Sequence, residues 1–305
     1  MDIKDLIIEF SKTRPDTEII VGYGSKVKSQ ANDKGKLKQI DLIIGVNNAL
    51  EWHKQNHELN PEDYKSTIGY KLLPVYANWK TDINYLSYIP FENHMFKIGV
   101  VEVNDLYKDL MNWENFFLAG RFQKPIEVIK GSNELNLAIK MNRLNALKTS
   151  LLMCGKENIT EKELYETLCS LSFIGDWRNI LHVENKNKVK NIVDGSFLEF
   201  QTMYKKFDKG LYENNDDVLE INYEYLLTKI HTLPDELKHR IFDCLYNRII
   251  KINSEEQIKE EIKKTIIKYF TEMNLVVTAA QPIKGLILNG PSKSLTYIGQ
   301  KLSKK

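Results

Sequence analysis

The chain has 305 residues, 42% hydrophobic and 28% charged, and its 43 basic and 41 acidic residues leave a net charge of +2. These values exclude a disordered chain, a multi-span membrane protein and a whole-surface polyanion binder, so any affinity for nucleic acid or membrane must come from a local patch. The length predicts about two domains. The three cysteines are far apart and form no CxxC pair, which supports neither a disulfide framework nor a thiolate zinc site and fits a reducing compartment.

Met1-Asp2-Ile3-Lys4-Asp5 lacks a basic flank before an apolar run and carries two acids, so neither a secretory signal nor a mitochondrial transit peptide is expected there. Ile3, Leu6, Ile7 and Phe10 are spaced as one face of a helix, which Pro15 ends. Residues 18–21 predict a short strand leading into Gly22-Tyr23-Gly24-Ser25. Residues 39–46 predict a second, fully buried strand, because Leu42-Ile43-Ile44 does not alternate. A helix over 49–57 and a turn at Asn60-Pro61 follow, then strands over 83–89 and 96–103 joined by a hairpin connection at 90–94. A helix is expected from Asp105 through Trp113 toward Gly120, with Leu106, Leu110, Trp113 and Phe117 on one face. From about residue 133 the pattern is helical. One helix covers 135–153, and the capping box Thr160-Glu161-Lys162-Glu163 opens another that runs through Leu171 until Gly175 breaks it. A short β segment over 189–193, after basic residues, would suit a winged-helix-like domain. Helices over 234–250 and 254–274 close the series, the second opened by Ser254-Glu255-Glu256-Gln257.

The glycines of Gly22-Tyr23-Gly24-Ser25 let backbone amides approach a phosphate, and the Ser25 hydroxyl can donate to it. Val27 stands where a Rossmann fingerprint needs its third glycine, and no Gly-Lys-Ser/Thr follows to make a Walker loop. An ordinary glycine turn fits the same four residues. Asp41 lies within Ile40-Asp41-Leu42-Ile43-Ile44, where a carboxylate needs a hydrogen bond or a metal; the alternative is a strand-end acid capping a turn. A Gly-Ser turn followed on the next strand by an acid resembles the polymerase-beta type of nucleotidyltransferase. That resemblance implies a triphosphate on the loop and magnesium on the acid. Ile43 stands in place of the superfamily's second acid, so the expected donors are Asp41, phosphate oxygens, water and Glu102 from a later strand. His53 and His57 are four apart, but Lys54 replaces the glutamate of an HExxH zinc helix, so zinc is rejected.

Further motifs occur in the same order: Trp52-His53-x-x-Asn56, Asn60-Pro61, Tyr64, Lys97-Ile98-Gly99-Val100 and Asp109-Leu110-x-x-Trp113. Ala119-Gly120-Arg121-Phe122-Gln123-Lys124-Pro125, Leu171-Ser172-x-x-Gly175-Asp176-x-Arg178, Lys188-Val189-x-Asn191-Ile192-Val193 and Ile283-Lys284-Gly285-Leu286 follow. Over nearly its whole length the chain resembles the mitochondrial translocator assembly and maintenance proteins, the soluble type of CDP-diacylglycerol synthase. Lys26 departs from the glycine that usually follows the serine there. The resemblance implies an α+β protein: a nucleotidyltransferase domain over 1–132, a mostly helical winged-helix-like domain over 133–232, C-terminal helices over 233–281 and a tail over 282–305. It also implies the reaction of CTP with phosphatidate to give CDP-diacylglycerol and pyrophosphate, with Mg2+ as cofactor.

The resulting assignments are Asp41, Ser25 and Lys97 as catalytic, and Gly22, Tyr23, Gly24, Ser25, Arg121 and Lys124 on the nucleotide. His53, Asp176, Arg178 and Lys188 are candidates for the lipid phosphate, and Asp41 with Glu102 for the metal. Taken alone, Arg121 and Lys124 also read as helix-end charges, Lys97 as an edge lysine, His53 as a surface residue, and Lys186, Lys188 and Lys190 as a solvated face. Asp176 and Arg178 could pair with each other. Residues 282–305 carry five lysines and no acid, with Leu295, Ile298 and Leu302 at helical spacing. They read as an interfacial segment on an anionic membrane, or else as a helix docked on the core. The expected partners are CTP, phosphatidic acid and that membrane surface, and no nucleic acid. The expected placement is peripheral, on the cytoplasmic face of a bacterial membrane, or on the matrix side of the mitochondrial inner membrane if organellar. The competing readings are a nucleotidyltransferase acting on RNA or another acceptor, and a non-catalytic winged-helix nucleic-acid binder.

Overall fold

The computed structural model describes residues 2–28, 39–180, 187–207, 210–215, 218–248 and 254–302, with the backbone alone for 179–180 and 291–302. The first half runs α1 (Ile3–Lys12), β1 (Ile19–Tyr23), β2 (Ile40–Val46), α2 (Ala49–Leu59), α3 (Thr67–Tyr76), β3 (Asn84–Phe91), β4 (His94–Glu102), α4 (Val103–Asn112), α5 (Ala119–Phe122) and β5 (Ile126–Lys130). The second half runs α6 (Asn133–Cys154), β6 (Asn158–Thr160), α7 (Glu161–Ser170), α8 (Trp177–Ile180), α9 (Lys188–Gly195), α10 (Phe197–Tyr204), β7 (Tyr212–Asn215), β8 (Val218–Ile221), α11 (Tyr223–Thr228), α12 (Asp235–Arg248) and α13 (Glu255–Leu302). The protein is α+β. A five-stranded mixed sheet has the order β3-β4-β2-β1-β5, with β2 and β4 parallel and the other pairs antiparallel. A smaller antiparallel sheet has the order β6-β8-β7.

Strand alternation sorts the large sheet into two faces. Ile20, Leu42, Ile44 and Ile98 pack with α1, α2 and α3 residues such as Phe10, Trp52 and Leu73. Ile19, Val21, Ile43, Tyr85 and Val101 face the other way, into a core that continues through Leu135, Leu164, Phe200 and Ile241 to Phe270. The apolar interior therefore crosses the expected 132/133 boundary without a break.

Three expectations change. The helix from Asp105 stops at Trp113, which has a left-handed φ of 56°. The buried Asp109 carboxylate accepts from the backbone N–H groups of Asn115, Phe116, Leu118 and Ala119, so these amides serve a side chain instead of a helix. Residues 189–193 are helical within α9, not a β segment. Val189, Ile192 and Val193 are spaced i, i+3, i+4, and burial of that face outweighs β-branched propensity. The strands of the small sheet come from 158–160, 212–215 and 218–221 instead.

The third change concerns the tail. Residues 282–290 are not a free interfacial segment but the distal part of α13, docked on the first half. Lys284 is buried, with Nζ donating to the carbonyls of Ala77 (2.5 Å) and Thr81 (2.7 Å). The Asn289 amide donates to the Tyr85 carbonyl and accepts from Ser87 N–H, both at 2.9 Å, covering the edge of β3. Gly290 (φ 76°, ψ 168°) kinks the helix there. Pro282 sits inside α13 and has no N–H for the Thr278 carbonyl four residues back. Trp177 Nε1 donates to that carbonyl instead, at 2.7 Å.

Candidate active site

Tyr23, Asp41 and Lys97 lie side by side on three neighbouring strands, since Asp41 pairs in register with Tyr23 on β1 and Lys97 on β4. They share the face that looks toward the second half. Lys97 Nζ stands 3.8 Å from Asp41 Oδ1, and their side chains are 24% and 29% exposed, open enough to meet a ligand. β4 is interior to the sheet, so Lys97 is not an edge lysine. Gly24 turns the chain at the end of β1 with φ +79°, and a Cβ there would stand 3.2 Å from Asp41 Oδ2. The glycine therefore serves twice, for its backbone conformation and for the room it leaves beside the carboxylate. Ser25 follows in the turn closed by Val27 N–H and Lys28 N–H on the Gly24 carbonyl. Burial raises the Asp41 pKa even though Lys97, Arg121 and Lys188 all favour its charged form.

Cations converge on this acid from the second wall. The Arg121 guanidinium lies 3.7 Å from the Phe117 ring centre and 5.9 Å from that of Tyr23. Lys124 Nζ donates to the Gly120 carbonyl (2.9 Å) and to Ser172 Oγ (2.5 Å). Arg121 donates to the Phe117 carbonyl ahead of α5, so of the two cations only Lys124 completes the end of that helix. Lys124 and Lys188 both approach the Phe173 ring, at 4.8 and 5.1 Å. Burial lowers Lys124 to about 8, and Arg121, Lys188 and Arg178 push the same way. The loop carrying Ser172 and Phe173 is shaped by α13: Asn274 donates to the carbonyls of Leu171 and Ile174 (2.8 Å each). Gly175, with φ +74°, comes so close that a Cβ would meet the Thr271 backbone at 2.5 Å. Asp176 is fully buried and paired with Arg178, whose Nε donates to both carboxylate oxygens at 2.9 and 3.0 Å. Burial would raise the Asp176 pKa, but Arg178 outweighs it and holds it below the usual carboxylate value. Asp176 thus positions Arg178 rather than meeting a phosphate itself. Lys186 lies outside the described residues.

Two assignments do not hold. Glu102 pairs with Val46, five residues along the parallel register from Asp41, so it lies about 16 Å away at the far end of the strands. There it accepts from Ala49 N–H at 3.1 Å and leads into α4. His53 is buried among the elements of the opposite sheet face, with Nδ1 2.8 Å from the Tyr64 hydroxyl. Burial, with Lys284 nearby, lowers it to about 3, so it stays neutral and offers no charge to a phosphate. Among the described residues, no group of three or more His, Cys, Asp or Glu is placed to share a metal ion.

Tyr85 was not foreseen. Its ring centre is 4.3 Å from Lys97 Nζ, and its hydroxyl accepts from that of Tyr23 at 3.4 Å. Gly99 makes the room, since a Cβ there would fall 2.6 Å from the Tyr85 ring. The glycine two residues after Lys97 was the available signal, readable once β3 is known to pair with β4.

A family model described as mitochondrial phosphatidate cytidylyltransferase matches residues 4–304. The mitochondrial phosphatidate cytidylyltransferase of Schizosaccharomyces pombe is 30% identical over 315 residues, covering 94% of this chain and 80% of that protein. That of Caenorhabditis elegans is 27% identical, covering 94% of each chain. That of Rattus norvegicus is 28% identical, covering 95% of this chain and 90% of its own. The match spans the Gly-Ser turn, the cationic wall and α13 alike, and the chain belongs to the mitochondrial phosphatidate cytidylyltransferase family.

Proposed function

We propose that this chain transfers a cytidylyl group from CTP to phosphatidate, giving CDP-diacylglycerol and pyrophosphate. The observation that carries this reading is the meeting of a Gly-Ser turn and one carboxylate, Asp41, with Lys97, Arg121, Lys124 and Lys188. Two anionic reactants need such a concentration of positive charge. The triphosphate lies on Gly24 and Ser25 with Lys97, Arg121 and Lys124 beside it, and Lys188 and Arg178 face the lipid phosphate. A phosphatidate oxygen forms the new bond to the α-phosphorus as the bond to pyrophosphate breaks. That oxygen is already anionic near neutral pH, so positioning and charge neutralisation carry the rate without a general base.

One carboxylate fits magnesium, which retains waters and takes its remaining ligands from substrate phosphates. Asp41 would hold it, and the ion would neutralise the charge that builds on the leaving pyrophosphate. In architecture, the first half reads as a nucleotidyltransferase domain and the segment from α6 to β8 as a winged-helix domain. The order helix, strand, four helices, strand, strand with β8 between β6 and β7 supports the second reading. The enzyme is read as peripheral to a mitochondrial-type membrane, and no helix of the described residues is long and apolar enough to cross one.

The test is incubation of the full chain with labelled CTP, magnesium and either phosphatidate or RNA, with chromatographic detection of CDP-diacylglycerol. Labelling of phosphatidate, lost in Asp41→Asn without loss of thermal stability, is the expected result. Labelling of RNA alone would overturn the acceptor assignment.

A further inference from the structure

Helix α3 turns an apolar stripe to solvent. Ile68 is 73% exposed, Leu72 46%, Val75 82%, and Trp79 just beyond the helix 43%. Spacings of four, three and four residues set them on one side. The helix already buries another face, Gly69, Leu73 and Tyr76, so this stripe is additional to its core contact. α13 runs against it: a Cβ on Gly69 would stand 1.8 Å from the Ile287 carbonyl oxygen. On that stretch of α13, Val277, Ala280, Lys284 and Leu288 point inward. Leu275, Val276, Ile283 and Leu286 are 42–47% exposed. Apolar exposure concentrated on two packed helices marks an interaction site rather than ordinary surface.

The surrounding charge selects the occupant. Residues 64–81 contain lysines and no acid, and 273–290 contain no acid. Lys65, Lys71 and Lys80 are exposed beside the stripe. An apolar strip with a tryptophan at one end and lysines along its rim suits the headgroup boundary of an anionic bilayer, where the rings and stems enter and the ammonium groups stay with the phosphates. We propose that the α3–α13 face is a bilayer contact seated on the first half of the chain, distinct from the basic segment beyond Gly290. The inference rests on the lipid-using reading of the site, because a water-facing cleft must be held at a membrane to take a phosphatidate headgroup.

The test compares the full chain with Ile68→Gln/Val75→Gln, a pair exposed enough to leave the fold intact. Co-sedimentation uses vesicles of phosphatidylcholine with phosphatidylglycerol, and of phosphatidylcholine alone. The double variant should lose about tenfold in partitioning onto the anionic vesicles. Its CTP affinity and its turnover of a short-chain phosphatidate dissolved below its micelle concentration should stay unchanged. Lys71→Gln should lose less, and its deficit should vanish at high salt. Undiminished sedimentation of the double variant overturns the proposal. So does a wild-type dimer that fails to pellet and that the variant converts to monomer, which would assign the face to a second copy. Variant-sensitive pelleting without CDP-diacylglycerol formation from any phosphatidate would support the face while refuting the catalytic reading.

Discussion

CTP binding at pH 8 is expected to take up a proton, and Lys124 is the group that receives it. Burial, reinforced by Arg121, Lys188 and Arg178, lowers this ammonium from 10.5 to about 8. At pH 8 about half of it is therefore neutral before nucleotide arrives. A triphosphate against Lys124 restores the ordinary value, so uptake should be about half a proton at pH 8, near zero at pH 6 and about 0.9 at pH 9. The fall from 10.5 to about 8 corresponds to about 3 kcal/mol. Because the folded value lies below the unfolded one, that cost to the unliganded fold is complete below pH 8 and is relieved as pH rises toward 10.5. Calorimetric titration of CTP in buffers of different ionisation enthalpy reads proton uptake directly as a slope. Lys124→Arg keeps its charge throughout and should abolish the slope. A flat wild-type response at pH 8, or the same slope in Lys124→Arg, would refute the assignment of this cation to the nucleotide.

Glu102→Gln should keep kcat/KM within about twofold, because the carboxylate lies about 16 Å from Asp41; a loss like that of Asp41→Asn would return Glu102 to the metal site. Gly69→Ala should destabilise the protein by about 3 kcal/mol, since the new methyl meets backbone on α13 that cannot yield locally; an unchanged calorimetric Tm would contradict the close approach of α3 and α13. Asp109→Ala leaves four amides, three of them buried, without their acceptor and should cost about 3–5 kcal/mol in urea unfolding, with CTP affinity falling too because Arg121 and Lys124 follow that loop. Asp109→Asn should recover part of the stability, since its amide oxygen still accepts.

Local periodicity made α1, β2, α2 and the β3–β4 hairpin legible, and the Gly-Ser turn pointed to Asp41 before any pairing was known. What sequence could not supply is register. Asp41 and Glu102 both stand on adjacent central strands, and only the parallel offset of β2 and β4 shows that one faces Lys97 while the other lies at the far end. His53 has the spacing of a surface residue, yet Tyr64 folds back onto it from eleven positions away. Lys284 counts as a surface charge in any composition, but it spends its three N–H bonds on carbonyls and a hydroxyl of the 77–81 segment. The end of α4 was hidden for a related reason: one carboxylate, Asp109, redirects four amides that an apolar stripe alone would assign to a longer helix.

Pro282 and Trp177 bear on how such a chain can drift. The proline withholds an amide from the Thr278 carbonyl, and the indole takes its place. Any lineage that replaces Pro282 gives that carbonyl a rival donor within its own helix, and any lineage that replaces Trp177 leaves it bare. Neither step is neutral by itself, so the two positions are expected to be inherited as a pair and to covary among relatives. Because Trp177 stands between Asp176 and Arg178, a change made far along α13 would register first in the cationic wall.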